Sequence, residues 1–341
     1  MLEKPDLPDE QLITCLQHDY GLRIVQVDFL PLGNDLNTAV YRVVADDARP
    51  YFLKLRRGAF DEITVAIPRL LSDQGMAQII APIPTNTGRL WARMDAFALI
   101  LSPFVTGQNA FEVAVSDRQR IEIGAALKRI HTLALSESLR QRVPRETYAP
   151  YWRDLVRDFQ ARAEDTAFAD PVAARLTALL RAKRAIVDDL VLRAEQLAAR
   201  LQTRSLEYVL CHADLHAWNL LIDANAMLYI VDWDTLILAP KERDLMFVGA
   251  GLDDVWPSVR EEALFYQGYG ATEIDPMALA YYRFERIVED IAAYCEQLLL
   301  TDQGGDDREE GLRQLVNQFE PGNVVEVAFA SDTLLRISHP T

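Results

Sequence analysis

The chain has 341 residues, half of them apolar, with 35 Lys and Arg against 51 Asp and Glu and a net charge of −16. That length suits two domains or one domain of two lobes, with core enough for a soluble globular protein. So acidic a surface repels nucleic acid and anionic lipid, excluding both as expected partners; it either keeps the protein soluble or attracts a cationic small molecule. The longest apolar runs, such as "FALIL", are too short to cross a bilayer, and "MLEKPDLPDEQL" lacks a basic-then-apolar leader. Cys15, Cys211 and Cys295 are odd in number and scattered, which suits a reducing cytoplasm without disulfides.

Residues 8–19 carry apolar residues at helical spacing, with Pro8 in a first-turn position. "LRIVQVDFL", "AVYRVVA" and "YFLKLR" then read as strands, the first two joined by the turn "PLGNDLN" and the next two by "DDARP". A helix is expected near 61–75, starting at Asp61 and Glu62 and ending at Gly75, with Pro68 forcing a kink or a late start. "QIIAPI", "RLWARM" and "FALILSPF" read as further strands. After about residue 108 the pattern turns helical. Ser116 caps a helix with an apolar face at Ile121, Ala125, Leu127 and Ile130, and helical patterns follow over 150–165, 172–202 and 258–301. The acidic string "DDREE" at 306–310 reads as a solvated loop. The class is therefore α+β, in three parts: 1–101, mostly antiparallel sheet with one inserted helix; 102–108, a hinge; and 109–341, mainly helical.

One stretch breaks the helical half. "VLCHADLHAWNLLI", 209–222, runs from a strand ending at Cys211 into two histidines, an aspartate and an asparagine; "YIVDWD" follows, ending a second strand near Asp232. A hairpin of these two strands would gather Asp214, Asn219 and Asp232 at one sheet end. Magnesium takes hard oxygen donors and keeps substrate phosphates in its shell, so Asn219 and Asp232 are its candidate ligands. Asp214 is left to meet a substrate hydroxyl. This is phosphoryl transfer of the kinase kind, in which the protein mainly positions groups and neutralises charge. Plain turn chemistry is the alternative. His212 reads as a structural hydrogen bond, His216 either as loop support or as a phosphate or substrate contact, and Trp218 as packing.

Lys54 lies in an apolar strand, where kinase chemistry places a phosphate-gripping lysine. Glu62 is its expected acidic partner, with Asp61 the alternative. In "FALILSPF" the carbonyl of Ser102 and the N–H of Phe104 are candidates to read an adenine, since Pro103 has no N–H. An ordinary interlobe linker is the competing reading.

With "HADLHAWN", "IVDWD", "RDL" at 243–245 and "YFLKL" together, the chain resembles the aminoglycoside phosphotransferase family, relatives of the protein kinases. "IVDWDTLILAPKERDLMFVGAG", "YYRFERIVEDIAAY" and "NVVEVAFA" are most similar to its spectinomycin-phosphorylating members. The resemblance covers nearly the whole chain and implies a bilobal protein-kinase-like fold. It implies ATP-dependent phosphorylation of a hydroxyl on a cationic aminocyclitol, spectinomycin's 9-hydroxyl, conferring resistance. It makes Asp214 the base, Asn219 and Asp232 the magnesium ligands, Lys54 a phosphate contact and Asp244 a structural brace. The phosphate loop departs from a kinase glycine-rich loop by having only Gly33. GTP remains an alternative to ATP, and monomer and homodimer are both open.

A pocket for such a cation needs carboxylates. Asp234, Glu289 and Asp290 are the candidates, with Glu285 read as surface; Tyr281, Tyr282 and Trp256 are either pocket walls or core. The competing functions are a kinase of another small alcohol (choline, homoserine, methylthioribose or a sugar) and a non-catalytic binding protein on a kinase fold.

Overall fold

Alternation along residues 38–45 and 50–57 puts Tyr41, Val43, Leu53 and Leu55 on one face, and all four are fully buried. The computed structural model describes residues 4–33, 37–248, 259–302 and 304–338. Its first elements are α1 (Asp9–Tyr20), β1 (Ile24–Leu30), β2 (Thr38–Ala45), β3 (Pro50–Arg57), α2 (Ile63–Asp73), β4 (Ala92–Met94), β5 (Phe97–Pro103) and β6 (Gly107–Asn109). Next come α3 (Asp117–His131), α4 (Glu137–Arg142), α5 (Tyr151–Asp165), α6 (Pro171–Ala182), α7 (Arg184–Gln202), β7 (Val209–Cys211), β8 (Leu220–Asp223) and β9 (Leu228–Ile230). The chain ends with β10 (Ile237–Ala239), α8 (Glu242–Leu245), α9 (Val259–Tyr269), α10 (Pro276–Leu299), α11 (Asp306–Gln318) and α12 (Val324–Ser338). It folds as two compact units.

The first unit comprises Met1–Val115, Leu135–Val143 and Ala217–Leu236. Its main sheet is antiparallel in the order β1-β2-β3-β5-β4. Leu12, Leu16 and Tyr20 of α1 pack on its buried face, and Gly21, at φ +69°, ends that helix. A second sheet has the order β6-β8-β9, so part of the expected 102–108 hinge is a paired strand. "QIIAPI" forms no strand. Only Ile79 bridges to Ile230, with the Ile230 N–H on the Gln78 carbonyl at 2.8 Å; Pro82 and Pro84 lack the N–H groups a ladder needs. The α2 helix starts late, at Ile63, and carries Pro68 inside.

The second unit comprises Ser116–Ala134, Pro144–His216 and Ile237–Thr341. Its axis is α10, whose buried face includes Tyr281, Tyr282, Phe284 and Ile291, against α5, α7, α11 and α12. Tyr281 and Tyr282 are therefore core. Backbones of α3 and α9 touch closely: a Cβ on Gly268 would stand 1.9 Å from the Ile121 carbonyl oxygen, and one on Gly124 2.1 Å from that of Phe265. The expected long helix over 172–202 breaks at Lys183, and "DDREE" opens α11 rather than a loop. That placement suits acidic residues, which are favoured at a helix N-terminus.

The expected hairpin is wired differently. β7 pairs with β10, while β8 pairs with β9. The run 217–236 belongs to the first unit and Asp214 to the second, so the polar stretch spans the join.

Buried Glu285 faces Arg153 at 3.3 Å, with Glu146, Glu289 and Arg243 also acting on it. Burial raises its carboxyl to about 7, only partly opposed by Arg153. A folded-state pKa above the unfolded one stabilises at low pH, and that contribution fades as pH rises toward 7. Thermal unfolding of Glu285→Gln should therefore fall less between pH 5.5 and 8 than wild type does. An equal fall in both would refute the assignment.

Candidate active site

Leu53 and Leu55 are held in the core under α1, so the pleat turns Lys54 to the other face of β3. There its Nζ bonds Asp232 Oδ1 at 3.1 Å and Asp234 Oδ2 at 2.7 Å. Arg56, on the same face, also donates to Asp234 Oδ2. Burial opposes the Lys54 charge, but Asp232 and then Asp234 outweigh it and hold the ammonium above the ordinary lysine value. A cavity of about 400 Å³ adjoins this group, lined by Arg56, Ala59, Phe60, Asp61, Thr64 and Asp234.

Glu62 is not the partner of Lys54. It precedes α2 and accepts from Trp91 Nε1 at 3.0 Å and Arg142 Nη2 at 3.4 Å. With Glu62 only eight residues beyond Lys54 and ahead of the helix, its carboxylate turns instead to Trp91 and Arg142. Two acids from "DWD", 178 and 180 residues along the chain, take the place expected for it.

Asn219 is buried and closes a short 3-10 turn, Ala217–Asn219, just before β8. Its carbonyl accepts the Val231 N–H at 3.0 Å, one step beyond the Leu220–Ile230 pair. This brings the start of β8 beside the end of β9, where Asp232 sits at φ +61°, with 49 % of its side chain exposed. An amide and a carboxylate here supply hard oxygen donors of the kind magnesium takes.

Ser102 is paired with Phe52 in the β3–β5 ladder, and the Phe104 N–H points to the Pro50 carbonyl at 3.4 Å. Gly33 has φ +85°, a backbone state that suits glycine. Asn34, Asp35 and Leu36 of the expected phosphate loop, and Trp256, lie outside the described residues.

In the second unit, the turn after β7 is held from below by Asp244. Its carboxylate, fully enclosed, accepts the His212 N–H at 3.0 Å and the Ala213 N–H at 2.6 Å. His131 Nε2 bonds it at 2.9 Å, and His131 Nδ1 meets Tyr269 Oη at 2.7 Å. Ala213 takes φ +70°, and His212 Nδ1 accepts the Asp214 N–H at 3.3 Å. His212 thus makes the structural bond expected of it, and Asp244 braces the turn.

Asp214 is gripped on both oxygens. Arg286 Nη1 meets Oδ1 at 2.5 Å and His216 Nε2 meets Oδ2 at 3.2 Å. Burial disfavours its charge, but Arg286 and His216 overcome this and hold the carboxyl well below the usual range. Arg286 also bonds Asp290 at 2.9 Å, and Glu289 takes Arg243 at 3.3 Å. Glu289 and Asp290, expected to face a substrate, therefore have internal cations. Arg286 was missed as a partner of Asp214 because its i,i+4 spacing to Asp290 reads equally well as a surface ion pair.

A family model of phosphotransferase enzymes, APH, matches residues 28–280. The chain belongs to the APH phosphotransferase enzyme family. This phosphotransferase is 38 % identical to spectinomycin phosphotransferase APH(9)-Ia, seen in complex with ADP and spectinomycin; the match covers 96 % of this chain and 99 % of that one, with a TM-score of 0.88. Protein StrN of Streptomyces griseus is 26 % identical over 229 residues, 64 % of this phosphotransferase and 67 % of StrN. Choline kinase LicA from Streptococcus pneumoniae, at 15 % identity and TM-score 0.57 over 91 % of this chain and 97 % of its own, shares the fold alone. The expected family and kinase-like α+β fold are both borne out, and the enzyme is a small-molecule O-phosphotransferase.

Proposed function

We propose that this phosphotransferase moves the terminal phosphate of ATP, carried with Mg2+, to a hydroxyl of a cationic aminocyclitol, spectinomycin's 9-hydroxyl, and so confers resistance. The observation that carries the substrate is the 38 % identity to a spectinomycin phosphotransferase across 96 % of the chain. Lys54 holds the nucleotide phosphates, its charge secured by Asp232 and Asp234. The backbone at Gly33 joins Lys54 on the phosphates, and the Ser102 carbonyl and the Phe104 N–H, which gives up its 3.4 Å contact with the Pro50 carbonyl, read the adenine. Asn219 and Asp232 would hold magnesium, which when bound would supply positive charge against that building on the transferred group. Asp214 orients the hydroxyl and receives its proton late, so a depressed carboxylate pKa serves it. Asp234, Glu289 and Asp290 offer carboxylates to the substrate amines, which compete there with Arg56, Arg243 and Arg286.

The enzyme acts as a monomer or homodimer in the cytoplasm, without nucleic acid or membrane. Among the described residues no helix is long and apolar enough to cross a membrane, and Cys15, Cys211 and Cys295 are free thiols. The test is a transfer screen with ATP or GTP, with Mg2+ or EDTA, across spectinomycin, aminoglycosides, choline, homoserine, methylthioribose and sugars. Saturable, EDTA-sensitive turnover of spectinomycin at micromolar concentration, with the 9-phosphate seen by 31P NMR, is the expected result. Turnover confined to a metabolic alcohol overturns the substrate.

A further inference from the structure

The Asp214 carboxylate belongs to a chain of side chains that no motif announces. Gln318 Nε2 in α11 donates to Asp290 Oδ2 at 2.9 Å. Asp290 Oδ1 takes Arg286 Nε at 2.9 Å, one turn along α10. Arg286 Nη1 then reaches Asp214 Oδ1 at 2.5 Å, and its guanidinium carbon stands 5.7 Å from the centre of the Phe247 ring. One planar fork therefore bridges two carboxylates, one anchored and one at the start of the polar stretch. An ammonium is a single point and cannot reproduce that geometry.

We propose that Arg286 is a positioning residue that fixes the rotamer and ionised state of Asp214 for phosphate transfer. The inference rests on the reading of Asp214 as the base. In the step it serves, the substrate oxygen bonds the γ-phosphorus as the bond from phosphorus to the β–γ bridging oxygen breaks. ADP leaves, and the hydroxyl proton passes to Asp214. Arg286 keeps that carboxylate unprotonated beforehand, so that it accepts the hydroxyl hydrogen bond rather than offering one. Afterwards it makes the protonated form short-lived, which returns the proton to solvent and resets the site. The charged groups acting on this pair are His216 from the same turn, Asp290 and Glu289 from α10, and Arg243 beyond Glu289.

Three variants separate charge from geometry. Arg286→Gln should lower kcat about 100-fold with the nucleotide KM within about threefold, because a misplaced group costs rate rather than nucleotide affinity. Its acid limb of kcat/KM should move up by about one pH unit or more, since a cation has left Asp214. Arg286→Lys should return the limb toward wild type but recover only part of kcat. Asp290→Asn, which loosens the fork without removing its charge, should lower kcat without raising the limb. Nucleotide binding and thermal unfolding confirm that each variant is folded. An Arg286→Gln enzyme within threefold of wild type overturns the proposal, and so does a loss of kcat with an unmoved limb, which marks a mere structural brace. The titration of Asp214 followed by 13C NMR, assigned with Asp214→Asn, needs no acceptor. A failed substrate screen therefore sinks the functional reading, whereas an identical Asp214 titration in wild type and Arg286→Gln sinks this one.

Discussion

Asp214→Asn should lower kcat for phosphate transfer about 1,000-fold, within the range that a positioned proton acceptor contributes. The asparagine keeps the shape and leaves the brace beneath it intact, since His212 and Ala213 bind Asp244 through their backbones. It cannot take a proton at any useful pH, and its amino group turns donors toward Arg286 or His216 where Asp214 offered two acceptors. Nucleotide affinity should stay within about twofold, because Lys54, Asn219 and Asp232 belong to the other compact unit. Steady-state kinetics and calorimetric titration of ATP with Mg2+ measure the two effects. Transfer by the variant at more than a tenth of the wild-type rate would remove Asp214 from the mechanism.

Asp244→Ala should cost about 3–5 kcal/mol of stability, because it removes the buried carboxylate that its enclosed partners share. Two backbone N–H groups and the His131 ring would lose their acceptor with no solvent to replace it. For the unit that carries it this corresponds to a fall in Tm on the order of 10 °C. Asp244→Asn restores one acceptor oxygen and points an amino group at the other N–H, so it should fall between the two. Burial opposes the Asp244 charge, but His131, His212 and the Ala213 N–H outweigh it and lower the carboxyl below its ordinary value. Its stabilisation is therefore present above pH 3.8 and is lost as pH falls through the lower folded value. Acid unfolding of the variants should be less steep below pH 4 than that of wild type. A melting point unchanged by Asp244→Ala would show that the turn after β7 needs no support.

Much of the fold was legible because its signals are local. The period of two in residues 38–45 and 50–57 follows from the pleat, and the Ser116 cap with Gln119 follows from four consecutive residues. Misreadings fell where local pattern had a competitor. "QIIAPI" has strand composition, but Pro82 within it and Pro84 just beyond deny the ladder. "DDREE" has loop composition, but its acids suit the start of α11. The β7–β10 pair could not be read at all, because both strands are three residues long and lie 26 residues apart.

The amino-acid string by itself determined the chemistry on offer: carboxylates, an amide and an ammonium at spacings that identify a phosphotransferase, because residue type and short-range spacing are properties of the string. Only the tertiary structure decided which charge meets which. Lys54 took Asp232 and Asp234 rather than the nearby Glu62, and Asp214 took Arg286 from 72 residues away. Coulomb energy and desolvation depend on distance and burial in space, and neither is written in the separation of residues along the chain.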